Sequence, residues 1–263
     1  MNLGLLEKPW ILEKNIMFRK SEKGYYFWSD FLKKYGIFNA FSTKKFGNLK
    51  IKNLDSSCFE DFCNSLGIKK DMVIGMREVH GKDVVEVTKN SQLNIVDSVD
   101  GLISSKKNVF LFGTFADCVP IVFFDKNKRA FGIAHAGWRG VYKEIAKEMI
   151  NKMRNLNVNI NDVIVGIGPS IRSCCYGVDS ERKKLFEDKF PKWGSKVFKT
   201  QREKIFLDLQ SAIKHQLVDS GVLKQNIKDC KICVSDNTFD FFSYRKEKDK
   251  SSLRVFGGII GRA

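Results

Sequence analysis

Three short segments of this sequence carry side chains that can bind a metal ion or act in catalysis. These segments are EVHG at 78–81, ADCVP at 116–120 and HAGWRG at 135–140. Each places His80, Cys118 or His135 after a predicted strand, beside a small residue or a turn, where a rigid sheet can present a functional group. Two imidazoles and one thiolate form a ligand set suited to Zn²⁺, and a catalytic zinc keeps its fourth position for water or substrate. His80, Cys118 and His135 are therefore the predicted metal ligands and catalytic residues.

The long spacing between these residues leaves other interpretations open. It matches no zinc-finger pattern, and a buried thiol with two structural histidines would give the same sequence. The residues also fit a metal-free chemistry in which Cys118 is a nucleophile and His135 is its base, which suits cleavage of an amide. Copper oxidase activity is a further hypothesis, but a multicopper site is chemically implausible because the whole chain has 3 His.

The HAGWRG segment at 135–140 has a second physical meaning. It lies where a predicted strand gives way to a helix, and the first N–H groups of a helix have no helical partner and attract an anion. Arg139 adds a guanidinium that can bind phosphate or carboxylate through two N–H groups. We expect an anion site beside the metal ligands, although an ordinary surface role for Arg139 and a core role for Trp138 fit the same pattern.

The other cysteines and the third histidine carry weaker signals. Cys174 and Cys175 follow a glycine–proline turn at 166–171, and such a pair is more often two buried thiols than a redox site. The CxxC formed by Cys230 and Cys233 has no second CxxC, so it is a weak redox or zinc signal. The chain has 7 Cys, an odd number that excludes a fully paired disulfide framework and favours a reducing compartment. His215, in a predicted helix, is expected at the surface.

Composition excludes several classes of protein. The 263 residues are 43% hydrophobic, too apolar for a disordered chain and long enough for a substantial core. The net charge of +16 keeps a nucleic-acid-binding module as a competing hypothesis. The basic residues are scattered, however, which favours a solvated lysine surface and no nucleic-acid partner.

The N-terminus lacks a signal-peptide pattern, and Asp117 and Pro120 interrupt the longest apolar run, so we predict a cytoplasmic protein without a membrane span.

Hydrophobic periodicity predicts the elements that position these residues. Apolar stripes predict helices over 138–156 and 208–218, and a third begins at Ser56 or Ser57. Strands are predicted over 37–42, 73–76, 84–87, 101–104, 109–114, 120–124, 130–134, 163–167, 239–244 and 253–260. The mixture indicates an α/β or α+β fold with mixed sheets flanked by helices. Because no linker interrupts the chain, residues 1–263 are predicted to form a single domain.

Together, these segments resemble one family, the YfiH-like laccase-domain proteins. They are also called multicopper polyphenol oxidases and have been assigned purine nucleoside phosphorylase activity. The family pattern joins Gln-Val-His-Gly, Ala-Asp-Cys-x-Pro, His-Ala-Gly-Trp-Arg-Gly, a Gly-Pro-x-Ile turn with Cys-Cys-Tyr, and Phe-Phe-Ser-Tyr-Arg-Arg. Besides the three segments above, this chain has GPSI and SCCY within 168–176 and FFSYRK at 241–246. The resemblance covers residues from about 37 to the C-terminus.

The resemblance implies a mixed α/β fold in which His80, Cys118 and His135 bind a catalytic Zn²⁺. It implies phosphorolysis, in which adenosine, inosine or guanosine reacts with phosphate to give the free base and ribose 1-phosphate. Methylthioadenosine cleavage and adenosine deamination accompany this activity in the family. Some bacterial members are also credited with peptidoglycan-precursor editing, in which an amide to a wrongly incorporated serine is hydrolysed; this is the alternative function. The implied partners are a nucleoside and phosphate, and the oligomeric state is left open.

Several further residues are candidates for substrate binding. Lys44, Arg139 and Arg245 are candidate phosphate-binding residues, because each offers a positive charge near a motif. Tyr244 is expected to contact the base or the ribose, and Asp117 to orient a ligand beside Cys118. This chain also departs from the family pattern at residues that are expected to line the pocket and affect substrate preference, namely Lys44, Glu78, Arg172, Lys246 and Leu253.

Overall fold

The structure is a computed structural model that describes residues 18–88 and 95–262. The N-terminal segment considered above for a signal peptide lies outside these residues. The helices are α1 (Ser29–Tyr35), α2 (Ser57–Leu66), α3 (Trp138–Tyr142), α4 (Ile145–Asn155), α5 (Ser180–Lys189) and α6 (Leu209–Asp219). The strands are β1 (Phe18–Lys20), β2 (Tyr26–Trp28), β3 (Phe38–Phe41), β4 (Val73–Arg77), β5 (Val84–Glu86), β6 (Ile95–Asp97), β7 (Gly101–Ser104), β8 (Val109–Phe115), β9 (Val119–Asp125), β10 (Phe131–Ala136), β11 (Val163–Ile167), β12 (Gly177–Val178), β13 (Phe198–Gln201), β14 (Lys204–Leu207), β15 (Ile227–Asp229) and β16 (Phe256–Arg262).

Two large mixed sheets form the centre of the fold. One has the strand order β1-β2-β3-β16-β8-β4-β6 and the other has the order β15-β11-β9-β10-β7-β5. A small antiparallel sheet, β12-β14-β13, is separate from both. The predicted mixed α/β architecture is confirmed.

Each large sheet is buried on both faces, which explains the long apolar run in the sequence. Side chains alternate between the faces of a strand. Along β9, Val122 and Phe124 join the core between the two sheets, while Ile121 and Phe123 face the core beneath α3, α4 and α6. The outer face of the seven-stranded sheet packs with residues of α2, including Phe59. Among the described residues, no helix is long and apolar enough to cross a membrane.

The structure corrects three sequence predictions. The helix predicted over 138–156 is divided into α3 and α4, because Glu144 adopts a left-handed backbone conformation with φ of 67°. The strand predicted over 239–244 is wrong: this stretch forms turns and irregular backbone, and its Ser243 hydroxyl donates to the Asp117 carboxylate. α5 and the small sheet were not predicted, and the polar sequence of α5 buries only Phe186.

Most other predicted elements are confirmed. Ser56 caps α2 by accepting a hydrogen bond from the Phe59 N–H at 3.3 Å. α6 begins after Asp208, which accepts from the Ser211 N–H at 2.8 Å, and the apolar stripe predicted for this helix is buried. The predicted and observed bounds agree most closely for a strand that is buried on both faces, such as β11.

Candidate metal centre and substrate site

The two large sheets bring the three predicted ligands together at the place where strands of both sheets end. β4 and β8 are parallel neighbours, so the loop after β4, which carries His80, and the turn after β8, which carries Cys118, lie at the same end. β9 starts after that turn and pairs antiparallel with β10, placing His135 opposite Pro120. Strand pairing therefore joins residues that are far apart in the sequence.

The three side chains form a compact group suited to a metal ion. Their ligand atoms all lie within 4.8 Å of one another. Cys118 Sγ is 3.8 Å from His80 Nε2, and the two imidazole rings meet edge to face with centroids 4.9 Å apart. The donor set is two nitrogens and one sulfur, which fits a tetrahedral ion with one position left open. The group could therefore hold a metal ion.

Glycines allow this close packing. A Cβ atom on Gly137 would lie 2.8 Å from Cys118 Sγ and 3.0 Å from His80 Cδ2. A Cβ atom on Gly140 would lie 3.1 Å from the carbonyl oxygen of Gly81. The two glycines of the HAGWRG segment thus let the start of α3 pack against the loop that carries His80.

Asp100 is a further candidate site residue, which the sequence motifs do not reveal. Its buried carboxylate lies 2.8 Å from His135 Nδ1 and accepts hydrogen bonds from the N–H groups of His80 at 2.9 Å and Gly81 at 2.6 Å. With Nδ1 engaged, Nε2 of His135 is left for the metal group. The only local signal for Asp100 is its position just before β7, which pairs with β10 and places Asp100 beside His135.

The electrostatics of the centre favour an ionised thiol. Burial alone would raise the pKa of Cys118, but His135 and His80 outweigh it and lower this pKa from 9.0 to about 7. Burial opposes the charged form of His135, but Cys118 and Asp100 raise the pKa of His135 well above 6.5. Burial also disfavours the Asp100 carboxylate, yet hydrogen bonds from His135 and Gly81 bring its pKa below 3.8. The centre thus favours the thiolate form that a metal ligand requires.

Asp117 makes its side-chain hydrogen bonds to the segment that carries Tyr244 and Arg245. Its carboxylate accepts hydrogen bonds from the Ser243 hydroxyl and the Arg245 N–H, both at 2.6 Å. It therefore holds the turn of the FFSYRK segment beside Cys118, whereas Asp100 contacts the predicted ligand His135. Burial raises the pKa of Asp117 despite these hydrogen bonds.

The predicted substrate-binding residues occupy two places. Lys44 donates to the Thr238 carbonyl at 2.7 Å, and its ammonium lies 5.2 Å from the Phe242 ring centroid, so it lies on the turn that also carries Tyr244 and Arg245. Arg139 is separate, in α3, where its guanidinium stacks over Trp138. Tyr244 and Arg139 are both exposed.

An open cleft of about 720 Å³ adjoins this turn. Its lining includes Arg245, Arg182, Lys204 and Phe206 but, among the described residues, none of the three predicted metal ligands. Arg182 stacks over Trp138 at 4.4 Å and places a second guanidinium near Arg139. Arg182 was missed because it lies in α5, which the sequence pattern did not predict.

Two departures from the family pattern have clear structural partners. Glu78 accepts hydrogen bonds from the N–H of Thr114 at 2.6 Å and from its hydroxyl at 3.0 Å. Arg172 makes a two-point ion pair with Asp229, at 2.8 and 3.1 Å. Both side chains are thus held by protein groups at the edges of the site.

The exposure of Cys174 and Cys175 differs from the prediction, and His215 lies partly exposed at the protein surface. Cys174 is exposed and Cys175 is half-buried, so the prediction of two buried thiols is wrong. His215 is half-buried rather than fully exposed, and its ring stacks on Trp193 with centroids 5.2 Å apart. Burial lowers the pKa of His215.

Known proteins are similar to this chain in sequence. The mouse protein named "Purine nucleoside phosphorylase LACC1" is 29% identical over 214 residues, which are 80% of this chain and 48% of the mouse protein. The chain thus spans about half the length of its mouse and human relatives. A protein named "Purine nucleoside phosphorylase" from Borreliella burgdorferi is 31% identical over 218 residues, 82% of this chain and 90% of that protein.

A solved structure and a family profile complete the comparison. The crystal structure of the Bacillus licheniformis hypothetical protein YfiH superposes with a TM-score of 0.84 at 25% identity, covering 94% of this chain and 99% of that chain. The profile of the family described as "Multi-copper polyphenol oxidoreductase laccase" matches residues 56–261. This chain therefore belongs to the multi-copper polyphenol oxidoreductase laccase family, as the motif resemblance predicted.

Proposed function

We propose that this chain is a purine nucleoside phosphorylase whose centre, formed by His80, Cys118 and His135, holds Zn²⁺. The observation that carries the proposal is the convergence of these three ligands, with His135 oriented by the buried Asp100. A carboxylate bonded to a histidine ligand is the usual support of a zinc site. The mouse and Borreliella relatives named as purine nucleoside phosphorylases support the reaction.

The reaction joins phosphate to C1′ of the ribose as the bond from C1′ to the purine nitrogen breaks. The base leaves with the electron pair of that bond and takes up a proton, and ribose 1-phosphate is the other product. Arg139, Arg245 and Lys44 would bind phosphate through their positive charges, and Tyr244 would contact the base or the ribose. When bound, Zn²⁺ supplies a Lewis acid with an open position beside the substrate.

We propose broad specificity for this activity. The substrates would be adenosine, inosine, guanosine and methylthioadenosine, with deamination of adenosine as a side reaction. The cleft beside Arg245 is open and mostly polar in its lining, which supports acceptance of several nucleosides. Adenine, hypoxanthine and inosine are separable products, so one chromatographic run distinguishes phosphorolysis of adenosine from its deamination.

The test uses the purified full chain loaded with Zn²⁺. We expect free base to be released from nucleosides when phosphate is present and not when it is omitted. Cys118→Ala should abolish this release because it removes a metal ligand, whereas Cys58→Ala, a matched thiol change in α2, should retain it. Wild-type protein that releases no base in a phosphate-dependent manner would exclude the proposed function.

A second candidate function has a specific observation in its favour. Cys118, His135 and Asp100 are arranged as a nucleophile, a base and a residue that orients the base, and the pKa of Cys118 is lowered to about 7. This arrangement suits hydrolysis of an amide, as in peptidoglycan-precursor editing. The two candidates differ in their metal requirement, since amide cleavage by the free thiolate should persist in zinc-free protein and phosphorolysis should not.

A further inference from the structure

A second group of metal-binding side chains lies outside the centre described above. Cys174, Cys175, Cys233 and Asp236 present ligand atoms that all lie within 4.8 Å of one another. One carboxylate oxygen of Asp236 is 3.1 Å from Cys174 Sγ, and the other is 2.9 Å from Cys175 Sγ. Three sulfurs and one carboxylate thus converge on a small volume. We call these four residues the thiol cluster.

The topology explains why these residues meet. β11 and β15 are parallel neighbours, so the loops that follow them leave the sheet at the same edge. Ser170, in the first loop, bridges to Cys233, in the second, and its carbonyl accepts from the Val234 N–H at 3.1 Å. The CxxC motif is therefore divided: among the described residues, Cys233 joins the thiol cluster and Cys230 does not.

We propose that the thiol cluster is a second metal site, which binds Zn²⁺ in a structural role. Three thiolates and a carboxylate complete a four-coordinate shell, the closed arrangement that is typical of structural zinc. In such a shell the sulfurs lie roughly 3.8 Å apart, since each Zn–S bond is about 2.3 Å. Metal binding would release the three thiol protons to solvent. The Asp236 carboxylate, which accepts hydrogen bonds from the Cys174 and Cys175 thiols, would then bind the ion instead.

The bound ion would join two loops that border the proposed substrate site. Tyr176 follows Cys175 directly, and the guanidinium of Arg245 stacks over its ring at 5.4 Å. The turn that leads to Arg245 starts at the Asn237 N–H, which donates to the Cys233 carbonyl at 3.0 Å. The second metal would thus hold Tyr176 and Arg245 in position without touching substrate.

The test is a titration of reduced, metal-free protein with Co²⁺ alone, followed by displacement with Zn²⁺. The wild-type chain should bind about two equivalents, and a His80→Ala/Cys118→Ala variant about one, with an intense thiolate-to-cobalt absorption from three sulfurs. Adding Cys174→Ser and Cys175→Ser to that variant should abolish the band, whereas adding Cys230→Ser should leave it. Because the first centre is disabled in these variants, the result does not depend on the proposed function.

Two outcomes would overturn the second site. One is a His80→Ala/Cys118→Ala protein that is folded by circular dichroism and shows no thiolate-to-cobalt band. The other is the recovery of Cys233 in a disulfide with Cys174 or Cys175 from wild-type protein purified with zinc and without oxidant, as shown by differential alkylation and mass spectrometry. If the His80→Ala/Cys118→Ala variant does not fold, Cys174→Ser/Cys175→Ser in the otherwise wild-type chain decides the matter, because a Co²⁺ stoichiometry equal to that of the wild type contradicts the proposal.

Discussion

At the scale of single residues, Asp100 connects the two histidine-bearing segments of the centre. Its carboxylate contacts the His135 ring and binds the backbone N–H groups around His80, which has a left-handed φ of 59°. A non-glycine residue rarely adopts this conformation unless its surroundings hold it there. One buried charge thus contacts the His135 ring and holds the backbone that carries His80.

We predict that Asp100→Asn weakens metal binding. The amide keeps a similar shape but loses the negative charge that orients and polarises His135, and loss of such a partner typically costs 10–100-fold in metal affinity. Competition with a chromophoric chelator measures the change. Asp97→Asn, an exposed change three positions away, is the control and should keep wild-type affinity. Equal affinities for Asp100→Asn and wild-type protein would contradict the role assigned to Asp100.

The ionisation of Cys118 gives a pH-dependent prediction. In metal-free protein, its alkylation rate should reach half of its plateau near pH 7, because His135 and His80 lower the thiol pKa from 9.0 to about 7. Cys175 in the same sample should react only at higher pH, since burial and Asp236 raise its pKa to about 11. Peptide-level mass spectrometry after iodoacetamide pulses measures both cysteines.

Replacement of His135 is the control for this pH profile. His135→Ala removes the largest contribution that lowers the Cys118 pKa, so the midpoint should move to higher pH. A wild-type midpoint near pH 9, or a midpoint that does not move in His135→Ala, would show that the histidines do not stabilise the thiolate.

At the scale of secondary-structure elements, the junction between β10 and α3 depends on Gly137. Its φ of −72° is one that any residue can adopt, so its requirement for glycine is steric. Gly137→Ala should therefore lower metal binding and activity while leaving most of the fold intact, because the new methyl would lie 2.8 Å from Cys118 Sγ. Metal content and thermal unfolding, measured on the same sample, separate the two effects. A variant with wild-type metal content would show that the junction has room for a side chain.

A second element-scale prediction concerns the ion cluster around Asp229, at the end of β15. Arg172 and Lys214 pair with this carboxylate, and although burial opposes ionisation, Arg172 and Lys214 lower its pKa from 3.8 to about 2. Asp229→Asn should therefore reduce the free energy of unfolding at neutral pH by about 2 kcal/mol. The depressed pKa means that this contribution is complete above pH ~4 and is lost as the pH falls toward 2.

Urea unfolding at several pH values measures this contribution. The difference between wild-type and Asp229→Asn protein should narrow as the pH falls below about 4. Asp55→Asn, which removes a highly exposed partner of Lys70, should match the wild type. A difference that stays constant down to pH ~2 would assign the stability to packing rather than to the ion cluster.

At the scale of the whole molecule, the position of the centre follows from the layering of two sheets. β4 and β8 belong to one sheet, and β9 and β10 belong to the other. The three predicted ligands therefore lie where strands of both sheets end. The cores on the two faces of the six-stranded sheet support this edge.

The sequence predicted the parts of the molecule that depend on local patterns. The apolar run of β11, a strand buried on both faces, and the helical periodicity of α6 predicted these two elements. The three ligand motifs were likewise recognisable as short sequence segments. Asp100 and the thiol cluster were not predicted, because strand pairing alone brings Asp100 to His135 and Cys233 to Cys174. α5 was not predicted because Phe186 is its single buried residue. Its sequence therefore has no apolar side chains repeating at helical spacing.

The most direct test of the central claim follows the phosphate itself. The purified zinc-loaded chain is incubated with inosine and ¹⁸O-labelled phosphate, and the sugar product is identified by mass spectrometry. The proposed reaction predicts ribose 1-phosphate that carries the label, lost in Cys118→Ala and retained in Cys58→Ala. Free ribose without label, or unchanged inosine, would contradict the assignment of phosphorolysis to the His80–Cys118–His135 centre.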